Sequence, residues 1–212
     1  MFSKRATSAK TSPLDELFRK LMQKPEVVSF AVGAPDINLL PTDIMDKLNK
    51  QAIQKYGKVI LQYGMTQGFL PLRQAVLPLL SQRGVVCSTE DIHIGTGGSG
   101  ILNNVSMALL DKGDIILVEN PTYAPGVKTF LAYEPKVIAV ESDREGMLPS
   151  ALEKVLKKKK VKLIYLLPTF QNPTGRTMSF ARRKQIAALV KKYKALIVED
   201  DVYYDLRFKD KN

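Results

Sequence analysis

Several glycine-rich and polar strings in this chain stand where apolar runs end, and their residue types suggest chemistry. The first, Gly95-Thr96-Gly97-Gly98-Ser99-Gly100, lets the backbone approach an anion closely and then opens a helical pattern whose first amides have no partner of their own, so a phosphate site is the direct reading. The string also satisfies G-x-G-x-x-G, and Glu119 falls roughly where the ribose-binding acid of a dinucleotide site would be expected. Taken alone it would favour a dinucleotide. However, a dinucleotide fingerprint usually follows an opening strand, whereas roughly ninety residues precede the first strand of this chain, and other strand ends carry polar groups a dinucleotide does not need. A phosphate monoester is the preferred ligand.

Three more strings follow. In Glu119-Asn120-Pro121-Thr122-Tyr123 the proline ends a strand and leaves an aromatic ring at the sheet edge, where Tyr123 can stack on a planar ligand. A lone tyrosine more often packs with its tip in water, but the neighbouring glycine loop favours the ligand. In Pro168-Thr169-Phe170-Gln171-Asn172-Pro173-Thr174-Gly175 two prolines fix the backbone around an amide, so Asn172 can donate into a cleft. Glu199-Asp200-Asp201-Val202-Tyr203-Tyr204 puts three carboxylates where an apolar run meets that cleft, a cost that packing alone does not explain.

Positioning these strings requires a particular kind of scaffold. From residue 91 onward short apolar runs alternate with helical patterns, the signature of βαβ units and a parallel sheet in an α/β fold. Strands are expected at Asp91 to Ile94, Asp114 to Glu119, Lys136 to Val140, Lys162 to Leu167 and Ala195 to Glu199, with helices at Gly100 to Leu110, Pro125 to Tyr133, Pro149 to Leu156 and Ser179 to Tyr193. Ligands of such sheets collect at the carboxyl ends of the strands, where the strings lie. Upstream, Pro13 to Lys24, Asp43 to Tyr56 and Leu70 to Gln82 have helical spacing, Gly33 to Pro41 reads as a loop, and Pro78 is expected to bend or end its helix.

Composition narrows the class. The 212 residues, 45% hydrophobic and 25% charged, suit a globular protein. The net charge of +11 would suggest nucleic acid if it lay on one element, but its densest run, Lys157 to Lys160, closes a helix whose dipole favours cations there. Nucleic acid is therefore not expected as a partner, nor is a metal. The single cysteine, Cys87, excludes an internal disulfide, and no apolar run approaches the ~20 residues of a membrane span. Met1 to Lys10 is basic but lacks the apolar core of a secretory signal, so a cytoplasmic protein is expected.

In their order, Gly33-Ala34-Pro35-Asp36, Tyr63-Gly64, Gly97-Gly98-Ser99, Asn120-Pro121-Thr122-Tyr123, Asn172-Pro173-Thr174-Gly175 and Glu199-Asp200-Asp201-Val202-Tyr203-Tyr204 resemble the class I/II aminotransferases, enzymes of fold type I that use pyridoxal 5′-phosphate. The resemblance runs through nearly the whole chain. It is nearest to the branch containing the aminoadipate, kynurenine and aromatic aminotransferases and the aminotransferase-like domains of MocR-type regulators.

The resemblance implies roles. Gly97, Gly98 and Ser99 would bind the cofactor phosphate, Tyr123 would stack on the pyridine ring, and Asn172 and Tyr203 would share its phenolic oxygen. Asp200 would pair with the ring nitrogen and keep it protonated. Gly33 would lie at the substrate, and Tyr63 would reach the phosphate of a neighbouring subunit, implying a homodimer acting on an amino acid and a 2-oxo acid. Residues 1–45 would form an N-terminal arm and small-domain segment, and 46–212 an incomplete cofactor-binding domain.

Three departures stand out. Val32 replaces a usual glycine, Val202 a usual proline or alanine, and Gly97-Gly98-Ser99 stands where Gly-Ser-Gln is usual. The family also places its cofactor-anchoring lysine some tens of residues beyond the aspartate, so the chain is expected to end before it and to be inactive by itself. Two alternatives are a MocR-type sensor domain, although only about 25 residues precede the domain where a DNA-binding module would stand, and a dinucleotide-dependent oxidoreductase built on Gly95 to Gly100.

Overall fold

A computed structural model describes residues 2, 13–24, 26–28, 33 and 35–207. The described residues fall into two compact units that part between Ile94 and Gly95.

The unit after Gly95 is built on a parallel sheet. Strands β1 (Ile115–Glu119), β2 (Lys136–Val140), β5 (Val161–Leu166) and β6 (Leu196–Glu199) stand in the order β2-β1-β5-β6, and every pairing is parallel. Helices α4 (Gly97–Leu109), α5 (Ala124–Leu131), α6 (Pro149–Leu156) and α7 (Phe180–Tyr193) connect or precede them. Side chains alternate across a strand, and the two cores follow that alternation. Ile116, Val118, Leu163, Tyr165 and Leu167 pack with Leu102 of α4 and Phe130 of α5. Leu117, Ile164 and Leu166 pack with Leu152 of α6 and with Ile186 and Val190 of α7. Because both faces are covered, the strands need nearly continuous apolar residues.

After β1 the chain moves to β2 on one side and then returns to β5 on the other. The reversal opens a crevice beyond the carboxyl ends of β1 and β5, the usual ligand position in open α/β sheets.

The sheet strands and helices lie within three residues of their expected ends, and β2 and α6 coincide with them. The exception is Asp91 to Ile94, which is not a strand. Asp91 closes a 3-10 turn (Thr89–Asp91) capped reciprocally by Ser88, and the Ile94 amide donates to the Gln67 carbonyl at 2.9 Å. Extended backbone becomes a strand only when a ladder pairs with it, and this segment has none among the described residues. A small hairpin not anticipated from sequence, β3 (Ser142–Asp143) with β4 (Gly146–Met147), is held by Arg182, which donates twice to Asp143 and also to the Gly146 and Met147 carbonyls, and pairs with Glu145.

The other unit holds α1 (Pro13–Met22), α2 (Thr42–Tyr56) and α3 (Leu70–Gln82). The expected loop at 33–41 contains a 3-10 turn, Ile37–Leu39, capped by the Asp36 side chain. Pro78 does not end α3, which runs on to Gln82. The proline removes only the amide that would have reached Gln74, a loss one turn before the helix end can absorb. Tyr56 packs edge-on against Phe69 with centroids 5.1 Å apart. Among the described residues no helix is long and apolar enough to cross a membrane.

Candidate active site

Four strand or helix ends of the sheet unit surround one cavity of about 180 Å³. Gly98, Ser99 and Leu102 line it from α4, Tyr123 from the start of α5, Leu167 from the end of β5, and Asp200, Val202 and Tyr203 from the end of β6.

The α4 side offers backbone amides beside the Ser99 and Leu102 side chains. Thr96 caps the helix without a side-chain bond, and no acidic residue sits in the first turn. Gly97 has φ +74°, in the left-handed region that favours glycine. A 13-residue helix therefore presents the amides of its first turn, together with the positive end of its dipole, to the cavity.

The opposite side is made of side chains. Tyr165, wholly buried on β5, donates its hydroxyl to Asp200 Oδ2 at 2.6 Å. Burial, then the bond and charge of Asp200, push the Tyr165 phenol far above its ordinary range. The Asp200 amide continues the β5–β6 ladder to the Leu166 carbonyl at 2.8 Å, which fixes where its side chain leaves the sheet. Tyr123 also titrates above the usual phenol range, mainly through burial and then through the neighbouring Tyr203 and Asp200.

The turn after β5 is heavily braced. Gln171 donates to the Pro121 carbonyl at 2.8 Å and accepts from the Thr174 amide and hydroxyl at 3.0 and 2.6 Å. Arg183 holds the Pro168 carbonyl and the Thr169 hydroxyl at 3.0 and 3.1 Å. Asn172, fixed in this way, donates to the Tyr203 hydroxyl at 3.2 Å. Asn172 lines an open groove of about 430 Å³ rather than the smaller cavity, and Tyr203 lines both.

Sequence reasoning singled out Gly98, Ser99, Tyr123, Asp200 and Tyr203, and the fold gathers them around one cavity, with Gly97 next in chain to Gly98 and Asn172 bonded to Tyr203. Tyr63 and Gly33 belong to the other unit; both are exposed, Tyr63 completely. Tyr165, Gln171 and Glu119 were missed as organisers of the site. Glu119, the candidate ribose acid, is 3% exposed and accepts from the Leu167 amide at 2.9 Å, so it braces β5 and does not offer itself to a ligand. Asp201, by contrast, has a buried Oδ1 without a hydrogen-bond partner.

Residues 25–212 match the family model described as aminotransferase class I and II, so the chain belongs to that family. It is 38% identical, over 98% of its length, to aromatic-amino-acid aminotransferase 1 of Thermococcus litoralis. It superposes with a TM-score of 0.86, at 38% identity over 95% of its length, on Pyrococcus horikoshii kynurenine aminotransferase crystallised with PMP and kynurenine. An uncharacterized HTH-type transcriptional regulator of Escherichia coli is 31% identical over 87% of the chain. The chain spans about half the length of the first two, 51% in each case.

The cofactor of this family is pyridoxal 5′-phosphate, and the donor set fits it. A cavity with backbone amides on one side, a carboxylate on the other and an aromatic wall between them matches a phosphate, a protonated ring nitrogen and a flat ring.

Proposed function

We propose that the protein of which this chain forms about half transfers an amino group between an amino acid and a 2-oxo acid with pyridoxal 5′-phosphate. The observation that carries this is the gathering of Gly98, Ser99, Tyr123, Asp200 and Tyr203 around one cavity. Gly97, Gly98 and Ser99 would hold the phosphate through amides of the first helical turn. Tyr123 would cover one face of the ring. Asn172 and Tyr203, already bonded to each other, would donate to the ring's phenolic oxygen, and Asp200 would hold a proton on the ring nitrogen. Bound there, the cofactor supplies an electron sink for the substrate's α-carbon.

The remaining assignments belong to the same proposal. Gly33 lies at the substrate, and Tyr63, with its fully exposed ring, reaches the phosphate of a second copy in a homodimer. Residues 1–45 act as arm and small-domain segment and 46–212 as cofactor-binding domain, in a cytoplasmic protein where Cys87 stays a thiol. Among the described residues no lysine lines the cavity, which supports the reading that the covalent anchor belongs to the part of the whole protein this chain does not span and that the 212-residue chain does not turn over by itself.

Incubation of the purified chain with the cofactor, borohydride reduction and mass spectrometry tests this, alongside an amino-donor assay. The expected result is weak, saturable binding without a stoichiometric pyridoxyl-lysine and without turnover. A stoichiometric adduct at one internal lysine, together with turnover, would mean that the anchor lies within this chain. A second reading, a cofactor-sensing domain of a MocR-type regulator, is favoured by the likeness to an HTH-type regulator. DNA binding without transamination by the whole protein would select it.

A further inference from the structure

We propose that Tyr165 is a positioning residue for the cofactor's ring nitrogen: its buried hydroxyl fixes one oxygen of Asp200 and so aims the other at the ring. This rests on the cofactor reading above.

Tyr165 is 0% exposed in the middle of an aliphatic strand, and its ring meets Phe130 edge-on at 5.1 Å. A phenylalanine would fill the same space without burying a hydroxyl, and a buried hydroxyl is costly unless bonded. Its bond is to Asp200 Oδ2 at 2.6 Å, within the short range of a hydroxyl donating to a charged oxygen. The register explains the reach: Tyr165 pairs with Val198, and Asp200 lies two residues further on, on the same face of the sheet.

The hydroxyl is also held from behind. Gly126, buried in the first turn of α5, is so close that a Cβ there would lie 2.8 Å from Tyr165 Oη and 3.1 Å from Tyr123 Cδ1. Bonded to Oδ2 on one side and with the α5 backbone close on the other, the hydroxyl holds Oδ2 against rotation of the carboxylate, leaving Oδ1 as the oxygen available to a ligand in the same cavity.

The test compares the affinity of the chain for pyridoxal 5′-phosphate with its affinity for the analogue whose ring nitrogen is replaced by C–H. Loss of packing weakens both equally, so the ratio reports how the nitrogen is held. The wild type is expected to prefer the natural cofactor, and Tyr165→Phe to lower that preference about tenfold, the scale of one hydrogen bond to a charged group, in a variant that still unfolds cooperatively. Gly126→Ala, which keeps both side chains but crowds the hydroxyl, is expected to lower the ratio in the same direction and decides the matter if Tyr165→Phe fails to fold. An unchanged ratio in the folded variants overturns the inference and leaves the cofactor reading standing. Equal affinities in the wild type overturn the role of the nitrogen. Absence of cofactor binding by the wild type overturns the cofactor reading and this inference together.

Discussion

The two walls of the cavity are built on opposite principles. The α4 wall offers backbone amides and no charged side chain, whereas the β6 wall presents a single carboxylate held by the Tyr165 hydroxyl, with Gln171 and Arg183 bracing the adjoining turn. A helix start needs only glycine-permitted geometry to offer its amides. A carboxylate that must point in one direction needs partners, and each of them must be placed by its own strand or turn. The amide wall should therefore tolerate changes of side chain, and the carboxylate wall should not.

The sharpest way to break this contrast is at the carboxylates. In the whole protein, Asp200→Ala is expected to reduce transamination by roughly a hundred- to thousandfold, the scale of losing one pre-organised electrostatic partner. Asp201→Ala, which removes an Oδ1 that bonds nothing, should stay within about tenfold. Steady-state rates corrected for the folded fraction decide it, since Asp200→Ala also strands the Tyr165 hydroxyl at a cost of ~1–3 kcal/mol. Equal losses would place the functional aspartate one residue further on.

At the amide wall, Gly98→Pro removes one donor within the first helical turn, where no intrahelical bond is lost. It should weaken binding of pyridoxal 5′-phosphate about tenfold, as expected for one charge-assisted bond. Ser99→Ala leaves every amide in place and should change affinity by no more than about threefold. If the alanine variant loses as much as the proline variant, the serine hydroxyl rather than the helix start holds the phosphate.

The same contrast governs what could be read from sequence. The glycine loop was legible because its mechanism is carried by consecutive residues, and the apolar runs bounded by Gly and Pro marked strands such as Lys136–Val140. Tyr165 was not, because within the run Val161–Leu166 a tyrosine reads as packing, and only the register with β6 brings it to Asp200. Asp91 to Ile94 failed for the complementary reason: apolar spacing states a preference for a strand, while a strand also needs a neighbour. The hairpin at 142–147 escaped because its bonds come from Arg182, almost forty residues away in the chain. Glu119 was noticed for its spacing, but burial gives it a different task.

That task predicts the smallest effect. Glu119 is buried behind the carboxylate wall, holding the amide of Leu167, which lines the cavity. Burial raises its pKa above the ordinary value of 4.5, and the Leu167 amide, the charge of Arg176 and the Gln171 side chain only partly offset this. The folded protein therefore binds the Glu119 proton more tightly than the unfolded chain does, so the contribution of this group to stability is fully present below pH 4.5 and is lost as pH rises through the folded pKa. Asp143 acts with the opposite sign. Hydrogen bonds from Arg182, chiefly, lower its pKa from 3.8, so its contribution is present above that value and lost as pH falls. Glu119→Gln keeps an oxygen for the Leu167 amide and leaves the Asp143 pair untouched, which isolates the first effect. Relative to this variant, the wild type should lose melting temperature as pH rises from 4.5 towards neutrality. Melting curves of both proteins across that range check it, and a difference that stays constant with pH would show that Glu119 carries no such proton linkage.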